Sequence, residues 1–242
     1  MPAGPLPTGT VTFMFTDIEG STKLWEAHPA EMRIALARHD ALMREAIESA
    51  DGYVFKTVWD AFCAAFTTAP EAVSALLAAQ LALVAEPWPE STPIRVRIAL
   101  HTGVAESRAG DYFGPCLNRL ARILSAAHGG QSLVSDATRG LIGETLTDIV
   151  TLSDLGFHRF KDLATAETVW QLRHPSLPWE FPALNSLDNQ PTNLPLQLTS
   201  FIGRRKEMDE IEALLAKTRL LTLTGRVDAV RPDSRSRPLR KF

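Results

Sequence analysis

The sequence predicts an α/β fold, and three observations carry the prediction. Val11, Phe13 and Phe15 alternate with Thr12, Met14 and Thr16, the period of a strand. Met32, Leu36, His39, Met43 and Ile47 then recur three or four residues apart, the period of an amphipathic helix. Two short apolar runs, Tyr53–Thr57 and Ala61–Phe66, follow on either side of a tight turn, so a strand, a helix and a hairpin succeed one another.

Each element has a local cause. The first strand ends at Asp17, and Gly20, Ser21 and Thr22 form the turn after it. The helix runs from about Pro29 to Ser49, and Gly52 stops it. Val58-Trp59 makes the hairpin turn, with Asp60 beside it. Thr68-Ala69-Pro70-Glu71 is a capping box with an early proline, so a helix starts there and runs to about Glu86, before Pro87. Ile94, Val96, Ile98 and Leu100 alternate with Arg95, Arg97, Ala99 and His101, which predicts a half-buried strand. Gly114 precedes a helix whose stripe is Leu117, Leu120, Ile123 and Leu124. Gln131–Ser135 predicts a strand, Asp136–Ile142 a short helix, and Leu152–Leu163 and Val169–Leu172 the last strands. The order places a ferredoxin-like βαββαβ core at the centre of the domain.

Composition bounds the rest. The 242 residues allow one full domain and a remainder, with a net charge of −3 that suggests no nucleic-acid binder. The opening M-P-A-G-P-L-P-T-G-T lacks a basic n-region and an apolar h-region, so no signal peptide is expected. The most apolar run, Ala72–Ala85, is too short to span a bilayer. Cys63 and Cys116 have no metal-ligand spacing and read as buried thiols in a reducing cytoplasm. Five prolines between His174 and Ser200 predict an extended linker over 174–200. Arg205–Lys217 then reads as a helix, Leu220–Thr224 as a strand, and the basic stretch from Arg226 as disordered.

Two acids stand out chemically. Asp17 ends a strand and is followed by small residues with free backbone N–H groups, an arrangement suited to a divalent cation carrying a polyphosphate. It equally suits a helix N-cap. In a ferredoxin-like sheet the first strand lies beside the central hairpin, so Asp60 would face Asp17, and the two acids would hold one or two metal ions; a solvated turn Asp is the plain alternative. His101 belongs to no chemical motif and reads as structural.

Three motifs in order, F-T-D-I-E-G-S-T, F-K-T-V-W-D-A-F and G-D-Y-F-G-P-C-L-N-R-L-A-R, together resemble the catalytic domain of class III nucleotidyl cyclases. The resemblance spans about Thr10 to Arg173. It implies that Asp17 and Asp60, with the Ile18 carbonyl, bind two Mg²⁺ or Mn²⁺ ions per site, and that the amides of Gly20, Ser21 and Thr22 hold the triphosphate of ATP. Lys56 and Asp111 match the pair that reads the base. A Lys donor with an Asp acceptor fits adenine, whereas guanylate cyclases typically carry other residues here. Asn118 and Arg122 match the pair that orients the ribose and meets charge at the α-phosphate, and Lys161 matches a lysine on the terminal phosphates. In the family the site straddles two subunits, so a homodimer with two equivalent sites is implied. The composition, separately, leads to the expectation of a cytoplasmic chain with no membrane segment and no direct nucleic-acid contact.

Two features depart from the family pattern. Trp59 stands where the family usually has Gly before the second acid. Either the turn distorts and metal binding weakens, or the indole points to solvent; Trp59→Gly is expected to raise activity. A cyclase-fold module that binds nucleotide or a partner without turnover is the alternative function. Beyond the domain, L-T-S-F-I-G-R-R-K-E-M-D-E-I-E-A-L-L and R-L-L-T-L-T-G resemble the entry of a signalling ATPase domain, as in bacterial regulators. Gly225 is followed by R-V-D-A-V-R-P rather than a Gly-Lys-[Ser/Thr] loop, so residues 201–225 are expected to be a stub and 226–242 a tail, from truncation or a shifted reading frame.

Overall fold

A computed structural model describes residues 6–142 and 149–189, and Leu214 alone beyond them. The chain divides into two units, Met1–Pro191 and Thr192–Phe242. The predicted linker beyond 189, the stub at 201–225 and the tail at 226–242 therefore lie outside the described residues, Leu214 excepted. So do residues 1–5, in the stretch before Thr10, where the resemblance begins.

β1 (Thr10–Ile18) is the central strand of the predicted core. It pairs antiparallel with β3 (Ala61–Phe66) on one side and with β4 (Val96–Val104) on the other. β2 (Tyr53–Val58) closes the hairpin with β3. β7 (Ser132–Ser135) runs parallel to β4, and β9 (Glu167–Arg173) and β8 (Thr151–His158) complete a seven-stranded sheet in the order β2-β3-β1-β4-β7-β9-β8. The order β2-β3-β1-β4 is the ferredoxin-like arrangement, extended at one edge by three more strands.

Alternation along β1 divides two cores. Met14 and Ile18 face α2 (Pro29–Glu48), α3 (Ala69–Ala85) and α5 (Asp136–Ile142), packing with Met32, Met43, Leu76 and Ile142. Val11 and Phe13 face α4 (Pro115–Ala126), packing with Leu120 and Ile123. Each large apolar side chain withdrawn from water contributes roughly 2 kcal/mol to this arrangement. The capping box at Thr68 is formed as predicted: its hydroxyl accepts from the Glu71 N–H, and the Glu71 carboxylate accepts from the Thr68 N–H.

Five local expectations are corrected. A short helix α1 (Ser21–Ala27) precedes α2 and buries no residue, so no apolar stripe announced it. β4 is buried on both faces rather than half-buried, because α4 covers the side that carries Ala99 and His101. A small hairpin, β5 (Glu106–Arg108) and β6 (Asp111–Phe113), turns at Ala109-Gly110, both at positive φ. β8 ends at His158, after an irregularity between Asp154 and Phe157, so Lys161 lies in the following turn rather than on a strand. Residues 174–189, expected to begin an extended linker, instead run against the sheet. Leu177 and Leu184 are buried, and the Asn185 and Leu187 N–H groups donate to the Ala126 and Arg159 carbonyls at 3.0 and 2.9 Å.

Candidate active site

Three groups of predicted residues occupy three places. The first is the end of β1. Asp60, in the β2–β3 turn and only 8% exposed, accepts the Ile18 N–H on its Oδ2 at 3.2 Å. The Phe62 N–H donates to Thr16 Oγ1 at 3.0 Å and fastens the hairpin to β1. The second acid therefore meets the backbone directly after the first. Asp17 is directly opposite Arg97 in the β1–β4 register, and the Arg97 guanidinium forms an ion pair with its carboxylate. The buried Nε of Arg97 has no partner.

Trp59, the first residue of the turn, adopts φ +58° and is 90% exposed. The indole points to solvent, and the turn keeps Asp60 on Ile18. The loop after Asp17 is held from behind. The Glu19 N–H donates to the Arg95 carbonyl at 2.9 Å, and Glu19 Oε1 accepts the Gly129 N–H at 2.9 Å. A Cβ at position 129 would lie 2.8 Å from the Arg95 Cβ and 3.0 Å from the Glu19 Cβ, so glycine suits this close approach. Gly20 caps α1 at φ +70°, and its carbonyl accepts from Lys23 and Leu24. The amides of Ser21 and Thr22 head the helix, where the helix itself supplies no acceptor.

The second group is Lys56 on β2 and Asp111 on β6, whose Nζ and Oδ2 atoms are 2.5 Å apart. Asp111 Oδ1 also accepts the Tyr112 N–H at 2.8 Å. The hydrogen bond to Asp111 raises the Lys56 ammonium above its ordinary pKa. Burial pushes the Asp111 carboxyl up, but Lys56 and the Tyr112 amide outweigh it and leave it below the ordinary value. Phe13 and Phe55 each pack edge-on to Tyr112 at 5.0 Å and support the platform. Cys63 lies opposite Lys56, and burial pushes its thiol up to about 11, so it stays protonated.

The third group is on α4 and the turn after β8. Asn118 and Arg122 are four residues apart on the helix, Asn118 exposed and Arg122 half-buried. Arg122 is 2.5 Å from Asp162, and Lys161 beside it is exposed. Among the described residues, no hydrogen bond or ion pair joins this third group to the acids of the first. Sequence reasoning missed Arg97 and Asp162. Counting the antiparallel register outward from β1 would have placed Arg97 opposite Asp17; nothing in the sequence signals Asp162. A cavity of about 490 Å³ lies elsewhere, between β8, β9 and residues 179–184, and contains none of the predicted site residues.

Among the described residues no group of three or more His, Cys, Asp and Glu could hold a metal ion. The Asp17 and Asp60 carboxylates and the Ile18 carbonyl are nevertheless oxygen donors of the kind hard divalent cations prefer. One Asp60 oxygen remains free of the Ile18 N–H.

Residues 5–159 match the adenylate and guanylate cyclase catalytic domain family. An uncharacterized protein of Mycobacterium tuberculosis is 42% identical over 205 residues, covering 84% of this chain and 70% of its own length. An adenylate cyclase of Schizosaccharomyces pombe is 38% identical over 154 residues, which span 53% of this chain and 9% of that much longer protein. A solved structure of adenylate cyclases from Trypanosoma brucei in their monomeric state superposes with a TM-score of 0.69 at 30% identity, covering 76% of this chain and 97% of that one.

Proposed function

Because the chain belongs to the adenylate and guanylate cyclase catalytic domain family, we propose that it converts ATP to 3′,5′-cyclic AMP and pyrophosphate. The observation that carries this reading is the seating of Asp60 on the Ile18 amide beside Asp17, despite Trp59. Asp17, Ile18 and Asp60 would hold two Mg²⁺ or Mn²⁺ ions; when bound, these would acidify the ribose 3′-hydroxyl and neutralise the triphosphate. The amides of Gly20, Ser21 and Thr22 would bind phosphate oxygens. Lys56 would donate to the adenine edge, and Asp111 would accept from its amino group. Asn118 would orient the ribose, Arg122 would meet charge growing at the α-phosphate, and Lys161 would bind the terminal phosphates.

The acids and the Asn118–Arg122 group are separate clusters within one chain, which supports a site completed across a homodimer. There, one chain supplies the acids and its partner supplies the base-reading pair, Asn118, Arg122 and Lys161. Lys56 and Asp60 share a hairpin yet would serve different sites.

A nucleotide-binding module without turnover is the second reading. It is favoured by Trp59 beside Asp60 and by Arg97 already paired to Asp17. Cyclic nucleotide formation from ATP and from GTP with Mn²⁺ separates the two. The first reading expects cyclic AMP in about tenfold or greater excess over cyclic GMP, and a loss of about 100-fold or more in Asp17→Ala. ATP binding without product would establish the second reading instead.

A further inference from the structure

Two ion pairs tie α4 to the β8–β9 region, and they differ in kind. Arg119 pairs with Glu167 at the start of β9, where the carboxylate is only 7% exposed. Burial pushes the Glu167 carboxyl up, and the pairing with Arg119 opposes that rise. This pair is part of the packed structure. One helical turn further on, Arg122 pairs with Asp162 at 2.5 Å, with side chains 41% and 59% exposed. Solvent screens such a pair, so it contributes little to holding the helix.

The turn that presents Asp162 is fixed without the ion pair. Phe160 is buried, and the Leu163 N–H donates back to the Phe160 carbonyl at 3.3 Å. Asp162 occupies the top of this turn at φ +63°, a conformation Asp tolerates better than most residues. Its carboxylate is thus delivered by the backbone to the guanidinium of Arg122, and the preceding residue, Lys161, is exposed. An acid is paired with the guanidinium that the cyclase reading assigns to phosphate, one residue along the chain from Lys161, which that reading also assigns to phosphate.

We propose that Asp162 is an internal stand-in for the nucleotide's phosphates. It occupies Arg122 in the unliganded chain and is displaced when the polyphosphate arrives, which makes it an affinity-setting residue. The inference rests on the reading of Arg122 as a phosphate-contacting group. Its chemistry is a competition between two anions for one guanidinium. The carboxylate carries a single charge on an exposed side chain, whereas the polyphosphate carries several charges and more acceptor oxygens, so the exchange runs toward the nucleotide. Removing the carboxylate removes the competitor.

The test is calorimetric binding of 3′-deoxy-ATP with Mn²⁺, which lacks the attacking hydroxyl, and of inorganic tripolyphosphate, which lacks the base. Asp162→Asn is expected to bind both about fivefold more tightly than the natural chain, with an unchanged melting temperature. Asp162→Gly, which relaxes the positive φ, is expected to do the same and guards against a local effect of the Asn side chain. In an Arg122→Ala background Asp162→Asn should have no further effect, because the two residues act through one another. Glu167→Gln is the contrasting control, expected to lower the melting temperature by about 5 °C while leaving nucleotide affinity unchanged. Equal or weaker binding by Asp162→Asn and Asp162→Gly, with the natural chain still binding 3′-deoxy-ATP, overturns this inference alone. Absence of 3′-deoxy-ATP binding by the natural chain overturns the cyclase reading and this inference with it.

Discussion

At the scale of single residues the site is defined as much by what holds the predicted groups as by the groups themselves. Trp59 is the sharpest case. Its φ of +58° belongs to the left-handed region, where a bulky residue costs on the order of 1 kcal/mol, yet its 90% exposure spares the acid beside it. The position of Asp60 depends on the Ile18 amide rather than on the side chain at 59. Trp59→Gly relaxes the backbone but adds freedom to the unfolded chain, and the two effects are of similar size. The expected outcome is a stability change within about 1 kcal/mol by urea titration, and a rise in cyclase turnover of no more than about threefold. A tenfold rise would show that Trp59 obstructs the site in a way its exposure does not reveal. Arg97 is the opposite case, a residue with no motif that is nevertheless paired to Asp17 through the strand register. A cation entering at Asp17 has to compete with that guanidinium.

At the scale of elements, legibility in the sequence followed the length of the pattern. β1, α2, the β2–β3 hairpin and α3 were all readable, because alternation, helical spacing and a capping box each extend over many residues. α1 was not, since seven residues with nothing buried leave no stripe. The β5–β6 hairpin was hidden because its strands are three residues long and Ala109 takes a positive φ that alanine rarely adopts. Residues 174–189 read as linker because prolines outnumber their two buried leucines. The charged candidates for the site were legible as motif residues, but their partners Arg97 and Asp162 were not, because register and turn geometry create those pairings. His101 shows the same limit. Its strand alternates as if half-exposed, yet α4 covers it. His101 Nδ1 bonds Ser135 Oγ at 2.8 Å, in a chain of hydroxyls that continues through Thr138 and Thr102 to Thr12 and so links α5, β7, β4 and β1. Burial, with Arg119 nearby, lowers its pKa to about 4 from an ordinary 6.5. Between those values the unfolded chain binds the proton and the folded chain does not. Stability is therefore full above 6.5 and declines as pH falls toward 4, by up to about 3 kcal/mol. Urea midpoints from pH 7 to 4.5 should fall in the natural chain, and that component should vanish in His101→Gln; an identical pH profile in the two would contradict it.

At the scale of the whole molecule the question is how many chains make one site. Each chain carries the acids at the end of β1 and in the β2–β3 turn, and each carries Asn118, Arg122 and Lys161 on α4 and the turn after β8, with no bond between the two groups among the described residues. A chain that holds both half-sets but does not join them internally can complete two sites by pairing with a copy of itself through a twofold axis. This arrangement makes a prediction that a single-chain site does not. Asp17→Ala alone removes the acids from both sites of its dimer, and Arg122→Ala alone removes the guanidinium from both, so each variant by itself is inactive. In a mixed dimer the Arg122→Ala chain contributes intact acids to one site, and the Asp17→Ala chain contributes an intact Arg122 to that same site. The other site carries both lesions. Random mixing makes about half of the dimers mixed, each with one good site of two, so activity should recover to roughly a quarter of that of the natural chain at equal total concentration. Recovery should follow the square of concentration at dilutions where the dimer dissociates. If the mixture stays as inactive as its components while both variants exchange subunits, the site is complete within one chain and the dimer is not the unit of catalysis.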